Sequence, residues 1–144
     1  MMKRIRILHL CVLTTFLLST VNPNALGATN TAAQHAFSYK EYEKFHDVLH
    51  PLEHDALPKK DFRRIRSQAN LLVKRGNAIV KLGVPRGMSD DKNEEFSKEL
   101  DSFRQALNRF KTDAKSGDDS RLVTSYSAVH DKFEMLASML PRKA

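Results

Sequence analysis

The sequence predicts an all-α protein, an antiparallel up-down-up-down four-helix bundle. Apolar residues repeat at alternating three- and four-residue steps in the long segments, and no segment alternates as a half-buried strand would. The connections between these segments are short, which favours antiparallel neighbours. The alternative architecture is a helical hairpin that forms a homodimer to complete the bundle.

Residues 1–27 have the three-part pattern of a secretory signal peptide. The basic start MMKRIR precedes an apolar run at residues 7–21, and small side chains follow at Ala25 and Gly27. The run is shorter than the ~20 apolar residues that a membrane-spanning helix needs. We therefore expect cleavage between Gly27 and Ala28 and a periplasmic or secreted protein without a stable membrane anchor.

Cleavage would leave residues 28–37 as a flexible arm and residues 38–144 as one bundle domain. It removes three of the 24 basic residues, which leaves 21 against 17 acidic residues and a net charge of +4. Those three residues are Lys3, Arg4 and Arg6. It also removes Cys11, the only cysteine, so a metal site must use His, Asp, Glu, Met or backbone oxygen.

The first helix is predicted over residues 39–56. Ser38 and Glu41 match a capping box, in which each side chain accepts from a backbone N–H of the first turn. Pro51 lies inside the helix and should kink it, because its ring removes one ladder hydrogen bond. The apolar stripe consists of Phe45, Leu49, Leu52 and Ala56.

The second helix should begin within residues 58–61 and end at Leu82, since Gly83 is a natural stop. Its apolar positions are Phe62, Ile65, Ala69, Leu72, Gly76 and Ile79. The third helix should start after residues 89–91 and end at Gly117. Its apolar positions are Phe96, Leu100, Phe103, Leu107, Phe110 and Ala114.

The fourth helix has candidate caps at residues 118–120 and ends before Pro141. Its apolar positions are Leu122, Tyr126, Val129, Phe133, Leu136 and Leu140. Three of the four helices thus carry six consecutive core positions each. Such continuous stripes predict a core that forms without any bound group.

The segment HDVLHPLEH carries the strongest chemical signal. It places His46, His50 and His54 at four-residue spacing, and His130 and Glu134 have the same spacing downstream. Residues four apart on a helix point to the same side. Two helices carrying such pairs could together supply the ligands of one metal ion.

Angles and heights refine this prediction. At about 100° per residue, His46 and His50 flank the apolar stripe, while His54 faces outward unless Pro51 turns it. His130 and Glu134 flank the stripe of the last helix in the same way. At ~1.5 Å per residue, both pairs lie roughly 9 to 18 Å from the same end of the bundle.

Three imidazoles and one carboxylate suit a divalent transition metal such as Zn²⁺, Cu²⁺, Ni²⁺ or Co²⁺. The sequence therefore predicts an exported protein that binds such an ion for sensing, buffering or carriage. The other interpretation is that these histidines are ordinary solvated or hydrogen-bonded side chains. His35, in the polar arm, fits that second description.

The stretch SYSAVHDKFE, residues 125–134, resembles the C-terminal haem helix of cytochromes c-prime, and the outline also resembles cytochrome b562. The resemblance implies a haem-b electron carrier with His130 as a haem ligand. Tyr126 and Val129 stand where that family has its attachment cysteines, so covalent haem is excluded. His46 or His50 would then have to supply the second ligand.

Other signals concern partners. The segments LPKKDFRRIR and LVKRG give the second helix a basic face that could meet an acidic protein partner or anionic lipid, although such faces are more often simply solvated. The export signal argues against nucleic acid. No catalytic constellation can be assembled from the spacings, so we expect no enzymatic activity, and a cofactor-free interaction module is the third functional class.

Export with cleavage before Ala28 is directly measurable. The intact mass of the protein recovered outside the cytoplasm should correspond to a chain that begins at Ala28, because Ala25 and Gly27 then occupy the −3 and −1 positions before the cleaved bond. Exported protein that retains Met1 or Met2 would contradict the prediction.

Overall fold

The computed structural model describes residues 37–116 and 118–141. These ranges contain four α-helices and no strand, which confirms the all-α class. The helices are α1, Lys40–Pro51; α2, Phe62–Leu82; α3, Asp90–Ser116; and α4, Asp119–Met139. A π-helical segment, Leu52–Ala56, continues α1. The predicted signal peptide, residues 28–36 of the predicted arm and Gly117 lie outside the described residues.

The predicted capping box at the start of α1 is wrong. Tyr39 is the N-cap and makes no side-chain cap hydrogen bond. The Ser38 hydroxyl instead donates to the backbone carbonyl of Pro141, at 2.9 Å, just beyond the end of α4. A partner distant in sequence has replaced the local one.

The other helix ends follow local chemistry. The Asp61 carboxylate accepts from the backbone N–H of Arg64, at 3.0 Å, and caps α2. Gly83 ends that helix at a φ of 72°, a conformation that L side chains rarely adopt. Asp118 caps α4 by accepting from the N–H groups of Ser120 and Arg121, at 2.9 and 3.2 Å.

Nearly all predicted core positions are buried. The exceptions are Phe62, Ala114 and Leu140, which lie near helix ends and are partly buried. Tyr42 and Val73 join the core although the stripes did not include them. All four helices, with the π-helical segment, thus contribute to one apolar cluster.

Close contacts join the helices. A Cβ atom at Gly76 would lie 2.6 Å from the methyl groups of Leu107, so glycine lets α2 approach α3. The Arg66 guanidinium of α2 donates to the carbonyls of Asp113 and Ala114 at the end of α3, at 3.1 and 3.0 Å. It also pairs with Asp119 of α4, at 2.7 Å. One cation therefore joins three helices.

The break at Pro51 takes the form of a π turn. Proline has no N–H to donate to the helix ladder. The residues that follow bond five positions back, Leu57 N–H to the Leu52 carbonyl and Asp61 N–H to the Ala56 carbonyl, both at 2.9 Å. Leu52 and Ala56 remain 1 % exposed, so the turn keeps the apolar stripe on the core.

The hydroxyl of Tyr126 stabilises this break from α4. It donates to the carbonyl of Leu49, at 3.1 Å, and the ring is fully buried. Tyr42 is buried to nearly the same extent, but its hydroxyl has no hydrogen-bond partner. The chain thus offers two buried tyrosines that differ in one hydrogen bond.

We expect Tyr126→Phe to lower the free energy of unfolding by about 1 kcal/mol, because a buried hydrogen bond is lost. Tyr42→Phe is the matched control. It should leave the stability unchanged or raise it, since it removes an unsatisfied buried hydroxyl. Urea unfolding followed by circular dichroism measures both. Equal effects of the two substitutions would contradict this account.

Alkaline pH should destabilise the fold. Burial raises the pKa of Tyr42 and of Tyr126 above the usual value of about 10, and neighbouring Tyr39 and Glu53 respectively add to the effect. The folded state then binds more protons than the unfolded state, so this contribution is complete below about pH 10 and declines as the pH rises further. Urea unfolding at about pH 8 and 11 measures it, and the double Phe variant should show a smaller decline.

Candidate functional site

The three histidines of the first helix form a row, which we call the histidine ladder. The ring centroids of His46 and His50 are 5.1 Å apart, and those of His50 and His54 are 4.3 Å apart. His46 is partly buried, whereas His50 and His54 are exposed. The four-residue spacing in the sequence therefore corresponds to contact between neighbouring rings.

The π turn explains why His54 lies closest to His50. In an α-helix, residues four apart are offset by about 40° around the axis. A π turn has more residues per turn, so a residue four positions on is offset less. His54 lies within the π-helical segment, and the outward-facing residue of the row is thereby held beside His50.

The donors of the last helix have different surroundings. His130 is partly buried, and its Nδ1 atom is 3.4 Å from the carboxylate of Asp131. Glu134 is exposed. Within residues 37–116 and 118–141, no three or more His, Cys, Asp or Glu side chains lie close enough together to hold a metal ion. The described conformation brings the first-helix histidines into ring contact, but it does not gather a set of metal ligands from the two helices.

Even so, the two helices meet near these residues. The ring of His46 lies 6.3 Å from that of Phe133, which is three residues after His130 on α4. Lys132, on the other side of Phe133, pairs with Glu99 of α3 at 2.9 Å. At about 100° per residue, His130 lies on the side of Phe133 opposite to Lys132, and so away from α3.

The two carboxylates of the π-helical segment are already engaged or buried. Hydrogen bonds from Lys59 and Arg64 lower the pKa of Asp55, so this carboxylate is held by two cations. Glu53 has a buried carboxylate oxygen without a hydrogen-bond partner. Glu53 lies within the π-helical segment and, after burial, contributes to the raised pKa of Tyr126. Sequence patterns did not single out Glu53, since it lies on neither the apolar stripe nor the histidine row.

The arrangement can do simple coordination chemistry. A neutral imidazole offers one lone pair, and two imidazoles on successive turns can bind one ion together. Both exposed rings of the ladder are accessible from solvent. Around His130 the core is filled instead, with Tyr126, Val129 and Phe133 all 0 % exposed.

Comparison with protein-family models, curated proteins and solved structures found no match. Within the described ranges, no helix is both long and apolar enough to cross a membrane. The chemistry of the side chains is therefore the basis for inferring function.

Proposed function

We propose that this chain is an exported four-helix bundle that binds a divalent transition-metal ion through histidines, for sensing, buffering or carriage. The observation that carries the proposal is the histidine ladder, above all the 4.3 Å between the ring centroids of His50 and His54. Imidazole nitrogen suits Zn²⁺, Cu²⁺, Ni²⁺ and Co²⁺. The predicted signal peptide at residues 1–27 supports a role outside the cytoplasm.

An antiparallel up-down-up-down order is part of the proposal. Ser38, before α1, bonds to Pro141, after α4, whereas Leu49, near the end of α1, bonds to Tyr126 in the first half of α4. Moving forward along α1 thus means moving backward along α4. That relation supports antiparallel packing of the first and last helices.

The middle helices support the same order. Arg66, early in α2, contacts Asp113, late in α3, while Gly76, later in α2, contacts Leu107, earlier in α3. The corresponding pairs between α3 and α4 are Glu99 with Lys132 and Phe110 with Tyr126. For α2 with α3, and for α3 with α4, the contact that lies later in one helix lies earlier in the other. Antiparallel neighbours in an up-down bundle have this relation.

His50 and His54 are the first two ligands in this proposal. His46 extends the row by one turn, and His130 and Glu134 of α4 supply further donors after side-chain rotation. Support for a contribution from α4 comes from Phe133, which contacts the His46 ring and lies between His130 and the α3 side of its own helix. In this proposal, His46 and His130 therefore flank the seam between α1 and α4.

Haem b bound by His130 is the second candidate, on the resemblance of residues 125–134 to a cytochrome haem helix. Haem needs a cavity beside its ligand, and the side chains of Tyr126, Val129 and Phe133 fill that part of the core. Binding would require these side chains to move. A Soret band in the purified protein would favour this candidate over the metal site.

Calorimetric titration with Zn²⁺, Cu²⁺ and Ni²⁺ tests the metal site. We expect His50→Ala to weaken binding about tenfold or more, because His50 contacts a histidine on each side. His54→Ala should cost nearly as much, and His130→Ala should also weaken binding. His35→Ala is the control, since His35 precedes the first helix in the sequence and is not one of the proposed ligands.

Two further readouts belong to this experiment. Ligand imidazoles must be neutral, so binding should weaken as the pH falls and protons compete with the metal for the ring nitrogens. Helicity should survive a chelator, because the core contains none of the proposed ligands. Binding no tighter than ~100 μM at neutral pH would overturn the proposal and favour a cofactor-free interaction module. Tight binding unaffected by His130→Ala would confine the site to α1.

A further inference from the structure

The charge of α2 is one-sided. This helix of 21 residues has six basic residues and no acidic one. The basic residues are Arg63, Arg64, Arg66, Lys74, Arg75 and Lys81. Arg64 pairs with Asp55 and Arg66 with Asp119. Within the described part of the chain, the other four have no carboxylate within 4.0 Å.

An apolar strip lies among these cations. Leu71 and Leu82 are 39 % and 43 % exposed, which makes them two of the three large hydrophobic side chains that are exposed among the described residues. At about 100° per residue, Leu71, Ala78 and Leu82 fall within roughly 20° of one line along α2. The buried side of the helix, marked by Leu72 and Gly76, lies about 100° to 140° away.

The cations flank this strip on both sides. With Leu71 at zero, Arg75 falls near +40°, and Lys74 and Lys81 fall near −60° and −80°. The strip from Leu71 to Leu82 extends over about 16 Å at 1.5 Å per residue. We call this surface, formed by Leu71, Lys74, Arg75, Ala78, Lys81 and Leu82, the outer face of α2.

We infer that the outer face of α2 is a docking surface for an anionic lipid bilayer. Leucine side chains gain free energy when they enter the boundary between headgroups and acyl chains, and flanking lysine and arginine are attracted to lipid phosphates. A helix bound in this way lies in the plane of the membrane surface and does not cross it.

The exposed leucines favour lipid over other anions. A nucleic acid or another polyanion binds through its charges and gains no binding free energy from an apolar strip between the cations. The complete absence of carboxylates on α2 also removes the repulsion that an anionic surface would meet. This inference is independent of the proposed metal site, whose first ligands lie on α1 and on the π-helical segment that continues it.

Vesicle co-sedimentation tests the docking surface, with all variants purified in the same processed form as the wild type. The wild type should bind vesicles of phosphatidylglycerol and phosphatidylcholine, and bind pure phosphatidylcholine vesicles far more weakly. Combined Lys74→Gln, Arg75→Gln and Lys81→Gln should weaken binding about a hundredfold, at about fivefold for each charge near an anionic surface. Raising the salt concentration should reduce wild-type binding more than that of this variant.

The apolar strip has its own variant. Combined Leu71→Ser and Leu82→Ser should weaken vesicle binding at least about tenfold while its salt dependence stays that of the wild type. Lys111→Gln with Lys115→Gln is the matched control, because both lysines are exposed on α3 and lack an ion pair within the described residues. Its effect should be well below that of the α2 charge variant.

Several outcomes would overturn the inference. One is equal binding to vesicles with and without phosphatidylglycerol, and another is equal loss in the α2 and α3 charge variants. Binding to a DNA duplex as tight as to anionic vesicles, with no effect of the leucine substitutions on either, would identify a general polyanion surface instead. Circular dichroism of each variant confirms folding, as the substituted leucines are partly exposed.

Discussion

The missing backbone N–H of Pro51 is the constraint on which the arrangement of the first helix depends. Without that donor the α-helical ladder is interrupted, and a π turn follows directly. The hydroxyl of Tyr126 then donates to the carbonyl of Leu49 beside the interruption. That carbonyl lies two residues before Pro51, so the contact joins the first helix to α4 close to the interruption.

The same turn has two consequences on opposite sides of the helix. On the buried side it keeps Leu52 and Ala56 in the core although the helical repeat changes. On the exposed side it brings His54 next to His50. Packing of the core and spacing of the histidines are therefore set by one backbone feature. Because the core excludes the histidines, the bundle is expected to hold them in place whether or not an ion is bound.

Charge is distributed unevenly among the helices. α2 has no acidic residue, whereas the first turns of α1, α3 and α4 all contain acidic residues. The N-terminal end of each helix dipole attracts such carboxylates, so their positions need no functional explanation. In the basic helix, Arg64 and Arg66 form ion pairs, but the other four cations form none within the described residues, and the exposed leucines lie among them. The two proposed surfaces, one for a metal ion and one for a lipid bilayer, lie on consecutive helices of the bundle.

The sequence by itself determined the helices. The apolar repeat identified nearly every buried position, and Asp61, Gly83 and Asp118 marked helix ends because capping involves neighbours in the chain. The interruption at Pro51 was also predictable, because proline has no backbone N–H to donate. What these features share is that their interaction partners lie within a few residues.

Only the tertiary structure decided which distant groups meet. Ser38 looked like a local cap and instead bonds to Pro141 at the far end of the chain. The spacing of the histidines predicted a shared side, but not that the His54 ring would lie nearer to His50 than the His46 ring does. These outcomes depend on how the helices pack and on how the backbone hydrogen bonds change after Pro51. A hydrogen bond or ring contact between distant residues is set by that packing, and periodicity within one helix carries no information about it.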